Sequence, residues 1–280
     1  MNNLGFLAAL GAAFCWGTYL VPFKISKSEK LLLFQAMMSA GILLSGFIIS
    51  LFLKFSLVPN VYGLMSGVLW AIPNALSLVA VSNLGIARAA PVMSSLVILV
   101  SFLWGSVFFQ ELQAGLMLGF LAIGLIIFGV VLVGTTENVS SRNVKIGLAT
   151  AILAGLIWGS QFVPVKIGQV SPQDYFFSMS IGIFVTATAI FLFKRVKFQK
   201  QAIKESLLSG TIWNIGNLLG VAAISLVGLA KGLPMTQLAV LVSVLWGLFY
   251  FKEVKKRRHR IQVLAGAIVL LLGIFILSQA

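Results

Sequence analysis

Apolar runs of about twenty residues, laid end to end with only short polar or charged turns between them, decide what this chain can fold into. They lie near 3–23, 31–53, 61–83, 89–109, 114–134, 146–165, 175–193, 207–227, 233–251 and 261–278. A run of that length makes a helix that crosses a bilayer, and ten of them use nearly all of the 280 residues. Sixty per cent of the chain is hydrophobic and 9% is charged, whereas a soluble domain has roughly a quarter of its residues charged. No water-soluble fold hides that much apolar surface. The runs therefore predict an all-α polytopic membrane protein of ten spans, numbered here 1 to 10, with no soluble domain. Most runs are apolar all round, so helical periodicity says little about them and their few polar residues carry the information.

The net charge of +14 raises the question of nucleic acid, and placement answers it. Lys194, Arg195, Lys197, Lys200 and Lys204 cluster after span 7, and Lys252, Lys255, Lys256, Arg257, Arg258 and Arg260 after span 9. Basic clusters confined to the turns between spans read as cytoplasmic loops, so no nucleic-acid partner is expected. A single cysteine, Cys15, excludes a disulfide framework, and the single histidine, His259, lies in a basic loop. Metal and thiol chemistry have no home, and no cofactor is expected. The first seventeen residues resemble a leader peptide, but they lack a basic n-region and place the bulky Phe14 before Cys15. They are read as the start of span 1.

Internal similarity organises the rest. GFLAALGAAFCWGTYLVPFKI from Gly5 matches GLATAILAGLIWGSQFVPVKI from Gly147, pairing Trp16 with Trp158, Pro22 with Pro164 and Lys24 with Lys166. GVLWAIPNALSLVAVSNLGIARAAP from Gly67 matches GTIWNIGNLLGVAAISLVGLAKGLP from Gly210, pairing Trp70 with Trp213, Asn74 with Asn217, Arg88 with Lys231 and Pro91 with Pro234. After a one-residue slip, SFLWGSVFFQEL matches SVLWGLFYFKEV, so Trp104 meets Trp246 and Glu111 meets Glu253. The chain thus divides into repeats 1–138 and 139–280, each of five spans. Because five is odd, the second repeat enters the membrane inverted. The basic-residue bias then puts seventeen of the twenty Lys and Arg inside the cell and three outside, with both termini outside the cytoplasm of a multi-pass cell-membrane protein. Inverted repeats recur in secondary transporters, with the solute held near the midplane between them.

These residues carry a family resemblance. The five-plus-five arrangement, the Trp-Gly early in each half, the proline opening the fourth span of each half and the Glu closing it resemble the drug/metabolite transporter superfamily. The stretch WNIGNLLGVAAISLVGLAKGLPMTQLAVLVSVLWGLFYFKE is similar to the glucose/ribose porter family of sugar transporters. The resemblance covers nearly the whole chain. It implies a monosaccharide such as glucose or ribose as solute, a cavity lined by spans 1, 3, 4, 6, 8 and 9, and spans 5 and 10 at the periphery. Export of metabolites, amino acids or drugs, as in the wider superfamily, is the alternative.

Read without the family, Trp70, Asn74 and Ser77 share one helical face, and Trp213 with Asn217 repeats it. Asparagine facing lipid is costly, so these faces point inward. There they either bind hydroxyls beside a flat indole or tie helices together. Trp16 with Tyr19, and Trp158 with Gln161, form similar pairs in spans 1 and 6, where Gly17 and Gly159 read equally as close-packing sites. Span 4 presents Ser94 and Ser95 after Pro91, and span 9 presents Thr236 and Gln237 after Pro234, as solute contacts or as hydroxyls bonded to their own helix. Trp104 and Trp246, near helix ends, read as interfacial anchors. Arg88, Lys231, Glu111 and Glu253 stand at the mouths, as gates or as helix-end and snorkelling residues.

All six acidic residues, Glu29, Glu111, Glu137, Asp174, Glu205 and Glu253, fall at loops or helix ends. Small multidrug exporters resembling this fold carry an acid inside their first helix, and span 1 has none, which disfavours that proton-coupled mechanism. Pro73 is expected to kink span 3, and its partner Gly216 to soften span 8. Gly119, Gly124, Gly129, Gly266 and Gly273 make spans 5 and 10 packing surfaces, within one protomer or in a homodimer. There is no HExxH, no GxSG and no pair of acids inside a span, so no enzyme is expected. The expected partners are the lipid bilayer and a small solute.

Overall fold

The computed structural model describes residues 3–27, 30–110, 116–134, 143–195, 197 and 202–279. Among them every regular element is helical. Eight helical segments are long and apolar enough to cross a membrane, and two shorter apolar helices, Met117–Gly129 and Ala239–Tyr250, fall where spans 5 and 9 are expected. The chain is a polytopic all-helical membrane protein.

Its helices are α1 (Asn3–Thr18), α2 (Val21–Ser26), α3 (Leu31–Leu53), α4 (Val61–Leu84), α5 (Ile86–Leu103), α6 (Leu116–Gly134), α7 (Val144–Trp158), α8 (Val163–Ile167), α9 (Pro172–Phe193), α10 (Ile203–Val227), α11 (Leu229–Thr236), α12 (Ala239–Leu245) and α13 (Arg257–Gln279). Two π-helical turns, Trp104–Phe108 and Trp246–Tyr250, extend α5 and α12. Span 1 is thus α1 with α2, span 6 is α7 with α8, and span 9 is α11 with α12. Short side-chain caps start several helices: Asn60 accepts from Gly63 N at 2.7 Å and Asn143 from Ile146 N at 3.1 Å.

Helix α1 packs along α10, and α7 along α4; α3 lies against α10, and α9 against α4. The pair α6 and α13 packs mainly against itself at one edge. A Cβ on Gly129 would meet Gly266 O at 2.7 Å, and one on Gly273 would meet Ala122 O at 2.9 Å. These glycines let α6 and α13 touch within one protomer. Gly17 and Gly159 are close-packing sites as well, since a Cβ on them would fall 2.4 Å from Val242 Cβ and 2.5 Å from Val100 Cβ.

Several local expectations are corrected. Pro91 and Pro234 do not open helices: α5 already begins at Ile86 and α11 at Leu229. The turn comes earlier because Gly85 (φ 79°) and Gly228 (φ 84°) take up left-handed backbone, which glycine adopts at little cost. The first-turn prolines are instead Pro22 and Pro164, in α2 and α8. Pro73, as expected, lies within a span, inside α4. Gly216 is a point of close approach, since a Cβ there would lie 2.6 Å from Trp16 Cδ1.

Spans 1 and 6 are both interrupted, at Tyr19–Leu20 and at Gly159–Phe162. Each interruption precedes a proline, whose ring collides with the carbonyl four residues earlier and offers no N–H. A broken helix inside a bilayer needs other donors for its freed carbonyls. Ser209 of α10 donates to Tyr19 O at 2.5 Å, and Ser66 of α4 donates to Gln161 O. Trp16 Nε1 donates to Trp213 O at 3.3 Å, and Trp158 Nε1 to Trp70 O at 3.2 Å. Residues matched by the sequence repeat therefore make the same bonds with exchanged partners. Ser209→Ala leaves the Tyr19 carbonyl unmet and is expected to cost about 1 kcal/mol. Thermal unfolding in detergent micelles measures it, and an unchanged midpoint would remove Ser209 from this role.

Candidate functional site

Both interruptions open onto one central cavity. Its lining comes from spans 1, 3, 4, 6, 8 and 9, through Trp16, Tyr19, Leu20, Trp70, Ala90, Met93, Ser94, Val97, Trp158, Gln161, Trp213, Leu233, Gln237, Ala239 and Ser243. None of these side chains carries a charge. Four tryptophans form a continuous row: Trp16 stacks on Trp213 (centroids 6.4 Å, 17°), Trp213 meets Trp70 (4.2 Å, 48°), and Trp70 meets Trp158 (6.3 Å, 34°). Exchanging matched residues maps this row onto itself. The outer indoles, Trp16 and Trp158, spend their N–H groups on the Trp213 and Trp70 carbonyls.

Beside the row stand polar groups of low exposure. Gln161 is 5% exposed and its Oε1 has no hydrogen-bond partner. Leaving a buried acceptor unmet costs about 1–3 kcal/mol, so the cavity is short of a donor at that point. Gln237 is 7% exposed and lies in the turn between α11 and α12. That turn closes with three-residue bonds, Leu238 N to Met235 O and Val240 N to Gln237 O. Thr236 bonds back to Leu233 O at 2.7 Å, which tends to bend a helix. Tyr19, Gln161 and Gln237 all sit where a helix is broken, while Ser94 sits in the unbroken α5.

Of the residues singled out from the sequence, Trp16, Tyr19, Trp70, Ser94, Trp158, Gln161, Trp213 and Gln237 come together on this cavity. Asn74, Ser77 and Asn217 do not line it. All three are completely buried, beyond the tryptophans on the same helices. Asn74 Nδ2 lies 3.9 Å from Met38 Sδ, and Ser77 donates to Asn74 O at 2.8 Å. Asn217 Oδ1 accepts from the Tyr175 hydroxyl at 3.4 Å. Within the described contacts these groups join α4 to α3 and α10 to α9. Trp104 and Trp246 are half-buried and tied to the broken spans: Trp104 Nε1 donates to Ser160 Oγ at 2.9 Å and Trp246 Nε1 to Thr18 Oγ1 at 3.2 Å. A π-helical turn begins at each of these residues.

Glu253 is 4% exposed and holds three elements together. Its carboxylate accepts from Ile86 N at 3.0 Å and Ala87 N at 2.8 Å, the first amides of α5, and pairs with Lys24 at the end of span 1. The positive end of a helix favours such a carboxylate. Gly247 makes room for it, since a Cβ there would lie 2.8 Å from Glu253 Oε2. The Lys24 ammonium also sits 4.9 Å above the Phe251 ring. Sequence reasoning named Glu253 and missed Lys24 as its partner; the matched pairs Lys24 with Lys166 and Glu111 with Glu253 were the available signal. Arg88 is buried in the first turn of α5. Lys231 lies in α11, and Glu111 falls outside the described residues. A second recess, lined in part by Phe162, Lys166, Gln169, Val221 and Leu229, lies at the far end of span 6.

A helical membrane bundle around a tryptophan-walled cavity whose described lining is uncharged defines a solute-transport class of membrane protein. The chain belongs to the sugar transport protein family, whose model matches residues 7–280. A Listeria innocua protein named for sugar uptake is 27% identical over 287 residues, covering 99% of each chain. A Bacillus cereus protein named for glucose uptake is 26% identical over 275 residues, covering 95% of each. One crystal structure superposes on all of this chain and 98% of its own with a TM-score of 0.68 at 14% identity, a likeness of fold.

The Glu253 cluster predicts a specific energetic pattern. Glu253→Gln strands the Lys24 charge and is expected to cost about 2 kcal/mol. Adding Lys24→Met should recover the part of that due to the stranded charge, while one of the two α5 amides stays without its acceptor, since a carboxamide has a single oxygen. Thermal unfolding of single and double variants decides it, and a double variant no more stable than Glu253→Gln would contradict the pairing.

Proposed function

We propose that this protein is a secondary, carrier-type transporter that moves a monosaccharide such as glucose or ribose across the cell membrane. The solute crosses by alternating access through the tryptophan-walled cavity, and repeats 1–138 and 139–280 are the two halves that move. The cavity carries this reading. Aromatic faces suit the apolar face of a sugar ring, and uncharged amides and hydroxyls suit its hydroxyls. Interrupted helices facing a midplane cavity are how transporters of inverted-repeat design present backbone to a solute. The name of the Bacillus cereus relative, glucose uptake, points to the same solute class.

In this mechanism the cluster of Lys24, Glu253 and the first amides of α5 closes one mouth, and the recess beside Lys166 leads to the other. Closure by an ion pair and two amides is reversible, since water replaces each partner when the mouth opens. The basic loops 194–204 and 252–260 face the cytoplasm and both termini face outward.

Uptake of labelled glucose, ribose and rhamnose into proteoliposomes, beside amino acids and lipophilic cations, tests the solute. Saturable sugar uptake that unlabelled glucose or ribose competes away is the expected result. Transport of amino acids or cations with no sugar moved or competing would replace this reading by the exporter one. Epitope tags at the termini of the protein in intact cells should be reached by impermeant antibody, and tags seen only after permeabilisation would reverse the orientation.

A further inference from the structure

The cavity is alike on its two sides in its aromatic residues and unlike in its polar ones. Trp16 matches Trp158 and Trp70 matches Trp213, whereas Tyr19 matches Gln161 and Ser94 matches Gln237. On tryptophans alone, a sugar ring would meet equivalent walls in either of two opposed orientations. The polar residues remove that equivalence, and both amides belong to residues 139–280. Both also lie at helix breaks, where Gln161 N bonds to Trp158 O at 3.1 Å and Val240 N to Gln237 O at 2.9 Å in tightened turns. Gln161 Oε1 is buried without a donor, and no protein hydrogen bond is made by the Gln237 side chain among the described residues.

We infer that Gln161 and Gln237 are the residues that fix which way round the sugar lies, each gripping a pair of neighbouring hydroxyls, and that the cavity admits sugars only in uncharged form. This rests on the reading of the cavity as a sugar site. A carboxamide presents a donor and an acceptor side by side, which matches two adjacent hydroxyls, each able to give and take a hydrogen bond. The matched positions Tyr19 and Ser94 offer single hydroxyls and hold the opposite edge less selectively. Among the described residues the lining holds no Asp, Glu, Lys or Arg, which leaves a carboxylate or phosphate without a counter-charge from them once it leaves water.

The test is solute binding to the purified protein, read by quenching of intrinsic tryptophan fluorescence. Glucose and ribose are the first probes, and glucuronate and glucose 6-phosphate the charged competitors. Neutral sugar should bind, with the charged analogues weaker by about a hundredfold or more, as expected for an uncompensated charge. Monodeoxy analogues of the sugar that binds should lose about tenfold or more at the hydroxyls held by the amides. In Gln161→Leu and Gln237→Leu the penalty should vanish at those hydroxyls and persist at the others, a pattern that general loosening would not produce. Charged analogues binding as tightly as glucose overturn the inference on the wild-type protein alone, without any variant. An unchanged pattern of deoxy penalties in both variants overturns the role of the amides. If neither neutral sugar binds or is transported, it is the sugar reading itself that fails.

Discussion

Backbone carbonyls freed inside the membrane are the constraint around which this structure is built. A bilayer has no water to satisfy them, so a helix can break there only where another segment supplies a donor. Spans 1 and 6 break at Tyr19–Leu20 and Gly159–Phe162, and the donors come from α10 and α4: Ser209 to Tyr19 O and Ser66 to Gln161 O. The same helices receive the Trp16 and Trp158 indole bonds in return. Each break is therefore secured by a helix from the other half of the chain, which is why α1 lies along α10 and α7 along α4.

From this arrangement the cavity follows. Helix breaks place Tyr19 and Gln161 where their side chains face the centre, and the outer indoles, held by backbone carbonyls, line up with Trp213 and Trp70 into one aromatic row. Close contact at Gly17 and Gly159 brings α12 and α5 up against the breaks. Further along, the left-handed turn at Gly85 starts α5 early enough for its first amides to meet Glu253. Lys24 reaches the same carboxylate because α2 resumes after the break in span 1. The central cavity and the Glu253 cluster thus share one structural origin.

Much of this was legible in the sequence because it depends on period and composition. Twenty-residue apolar runs announce spans, and repeated motifs announce matched pairs whose contacts also match. Eight of the eleven residues named as solute contacts line the cavity, since a bulky aromatic or polar residue inside a span has few acceptable places. Asn74, Ser77 and Asn217 followed the same logic and lie elsewhere, because a lipid-avoiding side chain is equally well served by another helix. The bonds of Trp104 to Ser160 and of Trp246 to Thr18 were not legible, since hydropathy carries no mark of which neighbour an indole meets.

By itself, the sequence determined the all-helical membrane class and that polar residues inside the spans are turned away from lipid, both consequences of how much apolar surface must meet lipid. Only tertiary structure decided which inward residues face a cavity and which seal a helix contact. It also decided that Lys24 is the partner of Glu253 and that Pro91 lies within α5. Those choices turn on helix breaks and rotations of a fraction of a turn, settled by hydrogen bonds between residues as far apart as Tyr19 and Ser209. Hydropathy, which sums over a window, is blind to them.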